Sequence, residues 1–195
     1  MKKEDFLGKV RKALENKNEV APTLSEGAGS LAFRLSDNDL AVAFAKEFTQ
    51  RGGTMLYCAT EEELATHIAT LVPNARTTPL ACGSHSLALF LQGCGFAAAF
   101  TPQHGQRADM GIFLCEALQA RDGSVTLSDR LGYGTAMPSL PPTTLILAFT
   151  SQLTRDWEAT YQRLGQAYPN GMPNEIAVLS PTACPSMSLI LMEDQ

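Results

Sequence analysis

The segment ADMGIFLCEALQARDGSVTLSD, residues 108–129, decides how the chain is read. It sets Asp109, Cys115 and Glu116 in an otherwise apolar run, then places Asp122–Gly123 between two short stretches. Asp-Gly is a hairpin signal, because the central positions of a tight type I′ turn need positive φ. The part ahead of it, ADMGIFLCE, reads as a single helical turn delivering Glu116 to the start of the hairpin. Two readings of the acids stand side by side. In one, Asp109 caps a helix and Glu116 is a solvated rim acid, the default state of acids. In the other, Glu116 faces a cleft and does chemistry.

Around this segment, short apolar runs alternate with amphipathic helices. Leu40, Phe44 and Phe48 share one helical stripe, and Gly52–Gly53 supply its stop. TMLYCA is a strand, and TEEELATHIATLV a helix opened by a Thr60/Glu63 capping box, with Leu64, Ile68 and Leu71 on one face. PLAC, FAAAF, TTLILAF and EIAVLS read as strands, the last of these closing the fold. SHSLALFLQ reads as a helix, as does TSQLTRDWEATYQRL, with Leu153, Trp157, Tyr161 and Leu164 inward. Such alternation predicts βα units and a largely parallel sheet covered on both sides, with the 108–129 hairpin folding back antiparallel within it.

The chain has 195 residues, enough for one good core. Its composition, 45% hydrophobic and 18% charged, is that of a globular protein. A net charge of −5 without a basic cluster argues against nucleic acid and anionic membranes as partners. The opening MKKEDFLGKVRKALENKNEV lacks the apolar core of a signal peptide. No window approaches the roughly 18 apolar residues of a membrane span. Phe6, Val10 and Leu14 give it the stripe of an amphipathic helix instead. The expected organisation is an N-terminal helical arm over 1–20, a Gly/Ser/Pro-containing linker over 21–36 and one α/β domain over 37–195. GAGSLA within the linker fits the dinucleotide pattern formally, but no strand precedes it and no helix follows at once.

Cys58, Cys82, Cys94, Cys115 and Cys184 are odd in number and widely spaced, which fits reduced thiols in a cytoplasmic protein rather than a metal or iron–sulfur cradle. No metal site and no cofactor are expected. The G-x-S-x-G elbow, the H-E-x-x-H zinc pair and the P-loop are absent, which makes hydrolase, metalloprotease and P-loop kinase poor readings. Cys115 beside Glu116 is a weak nucleophile, since an adjacent acid raises a thiol pKa.

In a parallel sheet, clefts lie at the carboxyl ends of strands. Gly83, Ser84, His85 and Ser86 leave the PLAC strand and open a helix, where free amides and the helix dipole can hold an anion. A plain Ser cap on a tight turn explains the same residues. After FAAAF, the loop TPQHGQRAD brings together His104, a base suited to neutral pH, Arg107, a bidentate carboxylate holder, and Asp109. The bland alternative is an exposed loop with a surface Arg–Asp pair. The expected catalytic residues are Glu116 and His104. The expected substrate-binding residues are Gly83, Ser84, His85, Ser86, Arg107, Asp109 and Ser124 of the hairpin turn. His67, between Leu64 and Ile68, is a core-edge residue.

The string ADMGIFLCEALQARDGSVTLSD followed by LPPTTLILAFTSQL resembles the lactate-utilisation (LUD) domain, and within it the lactate-utilisation protein C (YkgG-like) group. Glu116 matches the acid before the first hairpin strand, Asp122–Gly123–Ser124 the turn, Pro141–Pro142 the approach, and Ser151–Gln152 the residues after the buried strand. AVAFAKEFTQRGGTMLYCATEEELATHIATLV resembles the family's helix–GG–strand–helix opening. Two segments depart from the pattern. RLGYGTAMPSLPP keeps only Arg130 as a cation, and SPTACPSMSLILMEDQ replaces the usual C-terminal tail.

The resemblance implies a three-layer α/β/α sandwich with a mainly parallel sheet, similar to that of ribose-5-phosphate isomerases, glucosamine-phosphate deaminases and CoA transferases. It also implies a cytoplasmic component of L-lactate oxidation to pyruvate that binds a small anionic metabolite and acts with an iron–sulfur partner protein. A homo-oligomer is compatible with it. The alternatives are an isomerase- or CoA-transferase-type enzyme using Glu116, and a non-catalytic assembly or regulatory module.

Overall fold

The computed structural model describes residues 37–72, 74–77, 80–100, 109–131, 140–184 and 186–194. The arm, the linker with GAGSLA, and His104 and Arg107 lie outside the described residues. In chain order the elements are α1 (Asp37–Gln50), β1 (Thr54–Cys58), α2 (Glu61–Leu71), β2 (Leu80–Cys82), α3 (His85–Gly93), β3 (Ala98–Phe100) and β4 (Met110–Leu114). Then follow β5 (Ala117–Gln119), β6 (Ser124–Ser128), β7 (Thr143–Phe149), β8 (Leu153–Thr154), α4 (Trp157–Ala167), β9 (Ile176–Leu179) and β10 (Ser186–Met192).

Six strands form one sheet in the order β1-β10-β7-β4-β2-β3, and every neighbouring pair is parallel. Its central strands obey the two-residue period of a sheet buried on both faces. Ile146 and Ala148 of β7 point with Leu189 and Leu191 of β10 into one core, beneath Ala41, Phe44, Ala45 and Phe48 of α1. Leu145, Leu147 and Ile190 point the other way, onto Leu64 and Ile68 of α2 and Leu87, Ala88 and Leu91 of α3. Helices therefore cover both faces of a mainly parallel sheet, and the α/β sandwich expected from the sequence is the observed fold.

The decisive segment folds differently from its local reading. Met110–Leu114 is strand β4 between β2 and β7, not a helical turn, because Ile112 and Phe113 are needed on opposite faces of the sheet. The hairpin is real: β5 pairs antiparallel with β6 across Asp122–Gly123. It does not join the parallel sheet. It is the centre of a second sheet, β8-β5-β6-β9, which packs Leu118, Val125 and Leu127 into the core under α1. Gly123 takes φ +64, and a Cβ there would lie 2.5 Å from the Phe48 nitrogen, so the turn is seated directly on the α1 backbone.

Four further expectations need correction. EIAVLS is β9, an edge of the small sheet, and the closing strand is β10, seated between β1 and β7 in what reads as a divergent tail. The long helical reading after β7 splits into a 3-10 turn, Thr150–Gln152, then β8, then α4 capped by Asp156. On α4, Trp157 and Tyr161 are exposed, and the inward residues are Thr160 and Leu164. In α2, Thr60 Oγ1 accepts from the Glu63 N–H at 3.2 Å, but the Glu63 carboxylate turns to the Ala59 N–H, one residue before the cap. His67 sits half-buried with Nε2 3.2 Å from the Tyr57 carbonyl oxygen, at the edge of the core as expected.

Candidate functional site

Because all six strands run in one direction, Cys82, Phe100, Leu114 and Phe149 end at the same edge of the sheet. Cys82 faces Ile112, so Gly83 leaves β2 beside the last residues of β4. The two connections then diverge. The one from β2 goes through α3 on one face, and the one from β4 goes into the small sheet on the other. Adjacent strands whose connections part in this way leave a crevice between them, the usual ligand position in open α/β sheets.

The sequence-predicted residues on the β2 side are partly occupied with local structure. Ser84 caps α3, accepting from the Leu87 N–H at 3.4 Å. Gly83 is buried, whereas His85 and Ser86 are exposed, and the His85 ring meets Phe100 edge-on at 6.0 Å. Asp109 is exposed just before β4. Ser124 is buried in the hairpin turn, where its hydroxyl donates to Asp122 Oδ1 at 2.6 Å.

Glu116 is the outlier. It lies at the exit of β4 with 7% of its surface exposed. Both hydrogen bonds to its carboxylate fall on Oε1, one from the Ser128 hydroxyl and one from the Tyr168 hydroxyl at 2.8 Å. Among the described residues Oε2 takes none, and no ion pair reaches the group. A carboxylate this enclosed normally carries a cation or a full set of donors, since desolvating a charge costs several kcal/mol, on the order of the Coulombic return of a good pair. Two cations near it among the described residues serve other atoms. Arg163 Nε donates to the Glu116 backbone carbonyl at 3.2 Å, and its Nη1 to the Ser151 carbonyl at 2.7 Å. The Arg130 guanidinium lies over the Tyr168 ring, 5.9 Å from its centre, and the Arg130 N–H donates to Ser128 Oγ at 3.2 Å.

The surroundings hold Glu116 in place. Gln152 Nε2 donates to the Cys115 carbonyl at 2.6 Å while its Oε1 accepts from the Phe149 N–H at 2.7 Å, tying the ends of β4 and β7 together. Asp194, just past β10, accepts from Thr150 Oγ1 at 2.7 Å and from the Ser151 N–H and hydroxyl. Burial alone would raise the Asp194 pKa, but those hydrogen bonds, with Arg163 nearby, hold it below the usual carboxylate value.

Burial, then the bond to Glu116, lifts Tyr168 from 10.0 to about 12, so its hydroxyl stays a donor at neutral pH. Burial followed by the Glu116 charge pushes the Cys115 thiol up, so it is not a thiolate nucleophile. All five cysteines are free, and no group of three His, Cys, Asp or Glu among the described residues is placed to hold a metal.

Ser128, Tyr168 and Arg163 escape a local reading. Ser128 has a signal, because counting outward from Asp122–Gly123 brings residues 127 and 128 abreast of 116 and 115 respectively, next to the acid. Tyr168 has none, since it lies 52 residues from its partner.

The LUD domain family matches residues 41–186, three quarters of the chain, and the chain belongs to that family. The match ends at Ser186, the first residue of β10. A DUF162 family protein from Deinococcus radiodurans has a similar structure, with a TM-score of 0.63 and 18% identity over 82% of this chain and 99% of that one. At that identity the likeness is one of fold. No curated protein matches the chain. No helix among the described residues is long and apolar enough to cross a membrane.

Proposed function

We propose that the chain is a cytoplasmic component of L-lactate utilisation. It binds a small anionic metabolite and works with iron–sulfur partner proteins that carry away the electrons as lactate becomes pyruvate. The observation that carries this reading is the family match over residues 41–186, which spans both sheets up to β10. The geometry supports it at one point: Glu116 sits where the connections from β2 and β4 diverge, with an acceptor oxygen unused among the described residues. Deleting the gene from its host should abolish growth on L-lactate and leave growth on pyruvate intact. Undiminished growth on L-lactate would exclude the reading.

A second reading has its own observation in its favour. A buried carboxylate held by two hydroxyls and, among the described residues, no cation is the kind of group that serves as a base or nucleophile. An isomerase- or CoA-transferase-type enzyme would use Glu116 in this way on a phosphosugar or acyl-CoA. In that case Glu116→Gln eliminates turnover on such substrates, and retained turnover rules the reading out.

A further inference from the structure

The small sheet ends on β9, whose outer edge is open among the described residues. The Asp129 N–H donates to the Glu175 carbonyl at 3.1 Å, and the β6–β9 register sets Ser128 opposite Ile176. Antiparallel bonding alternates along the strand, so Ala177 and Leu179 also turn their peptide groups toward β6. The N–H and C=O of Ile176 and Val178 point the other way, and nothing among the described residues pairs with them. Val178 is 47% exposed. Edge strands are usually blunted by lysine, proline or a bulge, because open peptide groups pair with any strand that meets them. Ile176–Leu179 carries none of these.

We propose that two copies of the chain pair through β9, antiparallel across a two-fold axis at Ala177, joining their small sheets into one continuous sheet. In this register Ile176 lies opposite the partner's Val178 on each side of the axis, and every open N–H and C=O of the two strands finds a partner. Ala177 meets the partner's Ala177 at the axis, a non-bonded position where side chains come closest and a small one fits best. The stretch is also centred there. Pro173 and Pro181, which cannot extend a ladder, stand four residues to either side of Ala177. Glu175 falls opposite the partner's Leu179 and away from its own copy, so no like charges meet.

A second copy fits this edge better than a different protein because the strand is complementary to itself. A two-fold contact needs one patch to supply both halves, and the bonding phase, the proline spacing and the small central residue all share Ala177 as their centre. The contact is short, so the dimer is a weak one, with a Kd of about 10 to 100 µM. It stands independently of the proposed function, although Ile176 lies opposite Ser128, the donor to Glu116.

Sedimentation velocity of the full chain from about 1 to about 500 µM should show monomer giving way to dimer. Val178→Pro removes an outward N–H and leaves the bonds to β6 in place, so it should weaken dimerisation by at least about tenfold with little change in thermal midpoint. Cysteine crosslinking reads the register without relying on that variant. Across the axis the two Ala177 Cα atoms lie about 4.5 Å apart, within disulfide reach, and the two Val178 Cα atoms about 8 Å apart, beyond it. Under mild oxidation Ala177→Cys should form linked dimer at least about tenfold faster than Val178→Cys, with the unmodified chain and its free cysteines as background.

The proposal is overturned if the chain stays monomeric to about 500 µM, which would assign the edge to another segment of this chain or to a different protein. A dimer that Val178→Pro leaves equally strong uses another surface. Equal crosslinking of the two cysteine variants means another register. Either result also overturns it.

Discussion

The two sheets share a core and are built from different material. In the parallel sheet, the buried residues of β7 and β10 are apolar apart from Thr144. Among the described residues, seven of the eight buried polar ones lie in or against the small sheet: Glu116, Gln119, Ser124, Thr126, Ser128, Thr154 and Thr160. They satisfy one another. Gln119 Nε2 donates to Thr126 Oγ1 at 3.2 Å, and Thr154 and Thr160 share a bond of 2.8 Å. The first sheet holds the molecule together through area removed from water, which is non-directional. The second relies on directional bonds, which position groups accurately and are costly when left incomplete. Glu116 stands at the seam between them, leaving the apolar sheet and entering the polar one.

That contrast can be broken at its apolar side first. Ile146→Ala, fully buried in β7, should lower unfolding free energy by about 4 kcal/mol in urea titration, because the centre of a six-stranded sheet cannot collapse into the void. A loss below about 1 kcal/mol would mean that this core is loosely packed and the contrast false.

The joint between the sheets comes next. Gly123→Ala should cost about 3 kcal/mol, since φ +64 is strained for alanine and the new Cβ meets backbone atoms of Glu47 and Phe48, which cannot swing aside. Retained stability would show that the hairpin is not seated on α1.

The smallest effect separates the two by pH. Tyr168 keeps its proton to about 12 in the fold against 10.0 ordinarily, so its contribution is complete below pH 10 and is lost as pH rises through about 12. The alkaline limb of a thermal-shift profile should flatten in Tyr168→Phe, and an unaltered limb would detach Tyr168 from Glu116.

Much of this architecture was legible in the sequence because the responsible signals are local. The Thr60 cap, the Leu64–Ile68 stripe, the Gly52–Gly53 stop and the Asp122–Gly123 turn each act within a few residues of themselves. The α4 stripe misled for a physical reason: Trp157, Tyr161 and Leu164 look like the inward face, but Thr160 takes that place once Thr154 and the Asp156 carbonyl satisfy its hydroxyl. SMSLILM has the alternation of a buried strand, with Met187, Leu189 and Leu191 on one face and Ile190 on the other, yet its position after a proline-rich break gives it the look of a tail.

Of the candidate site, Glu116 was visible as an acid at the mouth of a hairpin. Of its company, Ser128 had a signal in the register of the turn and Tyr168 had none.

By itself, then, the amino-acid order determined most of the helices and strands (β4, β8 and β10 excepted), that the main sheet is parallel and two-sided, and where the hairpin turns. Those are consequences of side-chain period and turn chemistry, both short-range. Only the tertiary structure decided that the hairpin forms its own sheet, that the last strand lies in the middle of the first, and that Ser128 and Tyr168 meet on one oxygen of Glu116. Strand partners and buried polar contacts depend on which surfaces the whole chain brings together, and no window of a few residues contains that information.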